Sequence, residues 1–347
     1  MNRSAPVAAL LVLLVPSGIA RADPTDDFIT AEMKRQNIPG LSLAVIKDGH
    51  LIKAAAYGVA DIARKIPARP DTVYKIASIS KQFIATGIML LVQEGRLGLD
   101  EPISKYLEDT PDTWKDITIR HLLTHTSGLV REAPGYNPSM IMSDAEVVRS
   151  AYAVPLRFAP GVSWEYGNLG YFALAETIRR VAARPWTEYL NERVFAPAGM
   201  SSTFPTNTKE QIPNRARGYA DNNKLLNADD WPALRPSGAF LSTVLDLAKW
   251  DAILYTDNIL SESSRRQMWT SVTLNDGTTR PYGFGWELTS FAGRTVHHSG
   301  GMPGFRAMFA RFMDDHVTII VLMNLDDVDQ RAIVTGIAAV YVRAAPR

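Results

Sequence analysis

The sequence predicts an α+β fold, in which a mainly antiparallel sheet is built from both ends of the chain and flanked by helices, with a helical region inserted between. Three observations carry this. Strand-like segments cluster near the start, at 41–46 and 51–58, and again near the end, from about residue 282 onward. Between them the apolar residues recur at helical rather than alternating spacing. No internal repeat or low-complexity linker interrupts the chain. Strands at both termini with helices between suit one sheet closed by the two ends. The sheet part is expected over about 24–75 and 280–347, the helical part over about 76–279, and the two together form a single domain over 23–347.

The first 22 residues are set apart from that fold. Arg3 supplies a basic start, Val7 to Val15 an apolar core, and Ala20-Arg21-Ala22 a small-x-small cleavage site. This is the grammar of a secretory leader, since the apolar run is too short to span a bilayer. The expected location is therefore periplasmic or secreted, with no transmembrane anchor after cleavage.

Ala31 to Arg35 then reads as helical, and Leu41–Ile46 and Leu51–Gly58 as a hairpin turned by Lys47-Asp48-Gly49-His50. A long apolar helix runs from about Ser78 to Glu94, closed by Gly95. Further helical patterns cover 117–124, 144–151, 171–183, 186–194 and 243–254, punctuated by prolines. Candidate strands follow at Tyr282–Thr289 and Arg294–Ser299, then a hairpin of Phe305–Met313 and Val317–Asn324 through Asp314-Asp315-His316. A last amphipathic helix spans about Asp329 to Val342.

Composition excludes several function classes. A net charge of +1 leaves no electrostatic footprint for nucleic acid. With no cysteine there is no thiol chemistry, disulfide or thiolate metal site. A core of this size does not need disulfides. No phosphate-cradling glycine loop and no Gly-x-Ser-x-Gly elbow occur.

The chemistry lies in three short motifs. Ser78 and Lys81 stand three apart at the start of a helix, hence on one face, so the amine reaches the hydroxyl. A serine needs such a base to become a nucleophile, and a desolvated lysine can lose its proton near neutrality. The first turn also offers the Ser78 N–H to a developing oxyanion. Alone the pair could be a solvated surface contact, but this helix is apolar nearly all round, and a lysine buried there needs a partner. Tyr166-Gly167-Asn168 falls on a loop before the next helix. Tyr166 beside a cation could be pushed toward phenolate and serve as base, then acid. Asn168 could donate to a substrate carbonyl and orient Lys81. Tyr189-Leu190-Asn191 has the same spacing but sits in a helical pattern, and reads as packing. His298-Ser299-Gly300-Gly301 ends a strand, with His298 facing the site, His297 facing away, Gly300 and Gly301 allowing close approach, and the Gly301 N–H as second oxyanion donor. His121 and His125 are at i and i+4, which can hold a metal. They lack the zincin glutamate and a third ligand, so they read as structural and no metal or other cofactor is expected. Trp164, Trp286, Phe240 and Phe305 are either cleft lining or core.

These motifs, with Tyr74 to Phe83, Ile119 to Leu129, Trp164 to Tyr171, Tyr282 to Trp286 and His298 to Gly301 in one order, resemble the serine β-lactamase and penicillin-binding-protein superfamily. The match is to the branch of class C β-lactamases, D-aminopeptidases and related carboxylesterases. The resemblance implies a β-lactamase/transpeptidase-like fold with the site between sheet and helical parts. It implies Ser78 as nucleophile, Lys81 and Tyr166 as the proton-handling pair, Asn168 as a substrate-orienting donor, and the N–H groups of Ser78 and Gly301 as oxyanion hole. The expected activity is an acyl-enzyme hydrolase acting on a small-molecule or peptide ester or amide. A β-lactamase, a penicillin-binding sensor or peptidase, and an acyltransferase are the alternatives. One departure stands out: His298 occupies the place of the lysine that opens the third motif of β-lactamases. A histidine, with an ordinary pKa of about 6.5, is only partly charged at neutral pH. Gly167 likewise replaces the usual serine.

Overall fold

The computed structural model describes residues 23–205, 212–220, 224–225, 235–238, 240–291 and 293–343; the leader read over 1–22 lies outside them. Six strands form the main sheet: β1 (Gly40–Lys47), β2 (His50–Asp61), β3 (Ile66–Pro67), β4 (Thr295–Met302), β5 (Phe305–Phe312) and β6 (Val317–Met323). Their order is β4-β5-β6-β1-β2-β3, all antiparallel neighbours, so the two ends of the chain meet at β6 and β1, where Leu43 pairs with Val321. The turn from β1 to β2 needs positive φ at two successive residues, and Asp48 (50°) and Gly49 (76°) supply it.

Both faces of the sheet are covered, so β1 is buried along nearly its whole length and its alternation sorts side chains between two cores. Leu41, Leu43 and Val45 pack with helices α1 (Pro24–Arg35) and α5 (Gln330–Tyr341) through Ile29, Met33, Ile333 and Ile337. Ala44 and Ile46 face the inserted region, whose core includes Phe83, Ile84 and Ile88 of α2 (Ser80–Gln93), residues of α3 (Leu169–Ala182), and Leu247 and Trp250 of α4 (Val244–Ile253). Burying a large apolar side chain contributes roughly 1.5–3 kcal/mol, so this shared core ties the helical part to the sheet.

Several boundaries differ from the sequence reading. α1 begins seven residues earlier than Ala31, because Asp23 caps Thr25 N and Pro24 occupies the first turn. The segment Tyr282–Thr289 is not a strand. Gly283 N–H donates to the Trp286 carbonyl and Gly285 takes φ +75°, so the chain folds back with only isolated bridges to Glu287. Ala77–Ile79 is a tight 3-10 turn, and the α-helix starts at Ser80. The helix begun at Trp186 widens into a π turn over Asn191–Phe195. The 117–124 pattern gives only a short helix, Ile119–Leu123. A helix at Glu262–Met268, capped by Ser261, carries too little apolar periodicity to have been read. No helix among the described residues is long and apolar enough to cross a membrane.

Candidate active site

Three short strands hold the nucleophile turn. Tyr74–Lys75 pairs with Phe240–Ser242, which pairs with Phe204–Pro205. Ile76 N–H donates to the Phe240 carbonyl (3.0 Å), and Phe240 N–H donates to Ser80 Oγ (3.2 Å). Ala77 then takes φ +46°, a strained value for a residue with a Cβ, and swings Ser78 toward the cleft. One turn on, Lys81 is fully buried. Its Nζ donates to Asn168 Oδ1 (2.8 Å) and the Ser237 carbonyl (3.1 Å), and stands 3.3 Å from Ser78 Oγ. Burial holds its pKa well below the ordinary lysine range, and Arg235 and Arg131 add to that effect while Glu132 opposes it. The loop before α3 carries Tyr166, whose ring lies 4.6 Å from Lys81 Nζ. Burial pushes this phenol up, against the pull of Ser78 and opposite to the expected drift toward phenolate. The cost of desolvating a phenolate at this buried position outweighs the opposing pull of the Arg131 and Arg235 cations.

The third motif lies along β4. His298 is buried and lines the same cleft as Ser78 and Tyr166. Its Nδ1 is 2.6 Å from the Ser299 carbonyl, which can only accept, so Nδ1 carries the proton and Nε2 accepts from Tyr282 OH at 2.9 Å. Burial pushes its pKa down to about 4, with Glu287 opposing. A neutral imidazole thus stands at the position that the resemblance compares with a lysine. His297 faces the other way, bonded to Thr289 Oγ1 at 2.8 Å and set edge-on to Phe291. Gly300 is pressed against the nucleophile turn, while Gly301 opens on the cleft.

The cleft encloses about 920 Å³, with Trp164, Tyr282 and Arg131 on its walls. A smaller recess of about 210 Å³ reaches Ser78 from the side of Asn168, Glu132 and Ser237. The structure therefore brings Ser78, Lys81, Tyr166, Asn168, His298 and Gly301 together around one space. Trp286, Phe240 and Phe305 are instead core. Tyr189 is core as well.

His121 and His125 do not share a helix. The helix ends at Leu123, and His125 takes φ +63°. His121 accepts from Thr118 N–H in a cap, whereas His125 stacks 4.5 Å from Tyr166 and 4.7 Å from Tyr282 and props the Tyr166 loop. No cluster of three metal-ligating side chains occurs among the described residues. Sequence reasoning missed the Ser237 carbonyl, Glu132, Arg235, Glu287 and Tyr282. Only Tyr282 had a signal, inside Tyr282-Gly283-Phe284-Gly285-Trp286.

The chain is similar to known proteins at modest identity. The chain is 31% identical over 309 residues to penicillin-binding protein 4* of Bacillus subtilis (strain 168), covering 80% of this chain and 66% of that protein. It is 28% identical over 316 residues to protein flp of Staphylococcus aureus (strain MW2), covering 87% and 62%. It thus spans about two thirds or less of the length of these curated relatives. Among solved structures, the octameric penicillin-binding protein homologue from Pyrococcus abyssi superposes with a TM-score of 0.77 at 26% identity, over 92% of this chain and 77% of that one. The D-amino acid amidase from Ochrobactrum anthropi SV3, complexed with L-phenylalanine amide, gives 0.78 at 26%, over 90% and 95%. The family model described as Beta-lactamase matches residues 25–342, and the chain belongs to that family, with its β-lactamase/transpeptidase-like fold.

Proposed function

We propose that this chain is an exported serine hydrolase that forms an acyl-enzyme on Ser78 and hydrolyses an ester or amide, of the carboxylesterase or D-amino-acid peptidase kind. The observation that carries the reading is a fully buried Lys81 amine, held below the ordinary lysine range, 3.3 Å from the Ser78 hydroxyl. In the first step Lys81 takes the hydroxyl proton as Oγ attacks the substrate carbonyl. The N–H groups of Ser78 and Gly301 receive the oxyanion. The new ammonium lies near Arg235 and Arg131, which favour its giving the proton on toward the leaving group. Tyr166, protonated and beside Ser78, is placed to relay it. Water then repeats the sequence on the acyl-enzyme. The relatives' names, penicillin-binding and D-amino acid amidase, support an acyl carbonyl as the target. The neutral His298 favours esters and amides over β-lactams, because it supplies no cation for a β-lactam carboxylate. The leader grammar of residues 1–22 supports export.

The test is an intact-mass time course with p-nitrophenyl acetate and, separately, with a penicillin, beside Ser78→Ala. An acetyl mass on the Ser78 peptide is expected from the ester, absent in the variant, and no accumulating penicillin adduct. Undiminished ester turnover by Ser78→Ala would refute the acyl-enzyme, and a long-lived penicillin adduct would move the chain toward the penicillin-recognising branch. A pH profile adds a second check. The working form of Lys81 is deprotonated and its pKa is lowered, so kcat/KM for a neutral ester is lost as pH falls through that lowered value. It should reach its plateau well below pH 10.5, the ordinary lysine value. A midpoint at that ordinary value would mean Lys81 rests as ammonium at neutral pH, and would overturn the reading of it as a resting free amine.

A further inference from the structure

We infer that Glu132 is a positioning residue that sets the hydrogen-bonding polarity of the Lys81 amine through Asn168, an inference that rests on the serine-hydrolase reading. A neutral amine has two N–H groups and one lone pair. Lys81 Nζ has three polar neighbours: Asn168 Oδ1, the Ser237 carbonyl and Ser78 Oγ. For Lys81 to act as base, both N–H groups must point at the first two and the lone pair at the third. The Ser237 carbonyl enforces its share, since it can only accept. An asparagine amide does not, because its oxygen and its NH2 have nearly the same shape and either end could face the amine.

Glu132 removes that ambiguity. Its Oε1 accepts from Asn168 Nδ2 and from Arg235 Nη2. An ionised carboxylate has nothing to donate, so the NH2 of Asn168 must face Glu132 and its oxygen must face Lys81. Arg235 forms an ion pair with that same carboxylate. The same guanidinium donates through Nε to Ser237 Oγ at 3.1 Å. One arginine thereby steadies both groups that take the Lys81 N–H bonds. Were the Asn168 amide to turn over, its NH2 would occupy the lone pair of Lys81 and an N–H would point at Ser78 Oγ, the wrong polarity for proton abstraction.

The charge of Glu132 works in the opposite direction. It favours the protonated form of Lys81 and so hinders the base. That opposition makes the two roles separable. The experiment compares wild type, Glu132→Gln and Glu132→Asp by pH profiles of kcat/KM on a p-nitrophenyl ester, by the rate of Ser78 labelling with a fluorophosphonate, and by thermal melts. The Glu132 side chain is 39% exposed at the rim, so the isosteric glutamine leaves the fold intact. Glutamine offers both a donor and an acceptor and frees the amide to turn. The expected result is a plateau about 10- to 100-fold lower at every pH, the size of a lost hydrogen bond to a charged group, with aspartate, again acceptor-only, recovering most of it. A wild-type plateau with only the acid limb moved to lower pH would reduce Glu132 to a charge and overturn the inference. So would an aspartate variant as impaired as the glutamine one, which would report disturbed packing. Failure of the parent reading shows elsewhere, in wild-type protein whose labelling does not depend on Ser78, and it takes the inference with it.

Discussion

Lys81→Arg and Ser78→Ala are each expected to lower kcat/KM on an activated ester by about three or more powers of ten, the size seen when one member of a nucleophile–base unit is removed. The arginine variant is the sharper of the two. It keeps the positive charge, so a merely structural cation would survive the change. A base would not, because a guanidinium does not release its proton in a protein. It is also a poor fit, since a planar fork must replace a point amine between Asn168 Oδ1 and the Ser237 carbonyl at a fully buried position. Because the two residues act together, the double variant should be no slower than either single one. Progress curves beside thermal melts read the result. An arginine variant with intact melting and more than about a tenth of wild-type activity would remove Lys81 from the role of base, since a general base contributes roughly 100-fold or more.

The parts of this site legible in the sequence are those whose geometry is local. Ser78 and Lys81 share a helical face by spacing alone, and the alternation of β4 separates His298 from His297 whatever the rest of the fold does. The paired strands at both ends were legible for the same reason, down to the positive φ of Gly49. What was illegible depends on distant partners. Arg235 meets Glu132 across 103 positions, beside a contact of Asn168 with Lys81 that only the motif made legible. Neither acidic nor basic residue carries a mark that distinguishes it from an ordinary surface charge. The segment at Tyr282 was misread because aromatic and apolar residues favour a strand locally, while Gly283 and Gly285 make it turn back. Tyr166 was misjudged in protonation for a linked reason: the sequence gives cations near it but not the depth of its burial, which disfavours phenolate more than those cations favour it.

Gly300→Ala is expected to cost about 1–3 kcal/mol of stability, the usual penalty for overpacking, and about 100-fold in kcat/KM, the scale of a misplacement near 1 Å. A Cβ at this position would lie 2.3 Å from the carbonyl oxygen of Ile76 and 3.3 Å from the Ala307 side chain. That carbonyl accepts from Ile79 N–H and so closes the turn that presents Ser78. It cannot retreat freely, since Ile76 N–H is bonded to the Phe240 carbonyl on the other side. The added methyl must therefore push β4 away from the nucleophile turn. The proposed oxyanion donors, the N–H groups of Ser78 and Gly301, sit on the two sides of that junction, so the same displacement widens the hole between them. Gly301→Ala supplies the contrast. Its Cβ would meet only the end of the Arg306 side chain, at 3.2 Å, and a flexible guanidinium can swing aside. Activity and melting temperature should fall together in Gly300→Ala and much less in Gly301→Ala. If the two variants lost activity equally while both melted like wild type, the junction between Ile76 and Gly300 would not be what holds the oxyanion donors at their spacing.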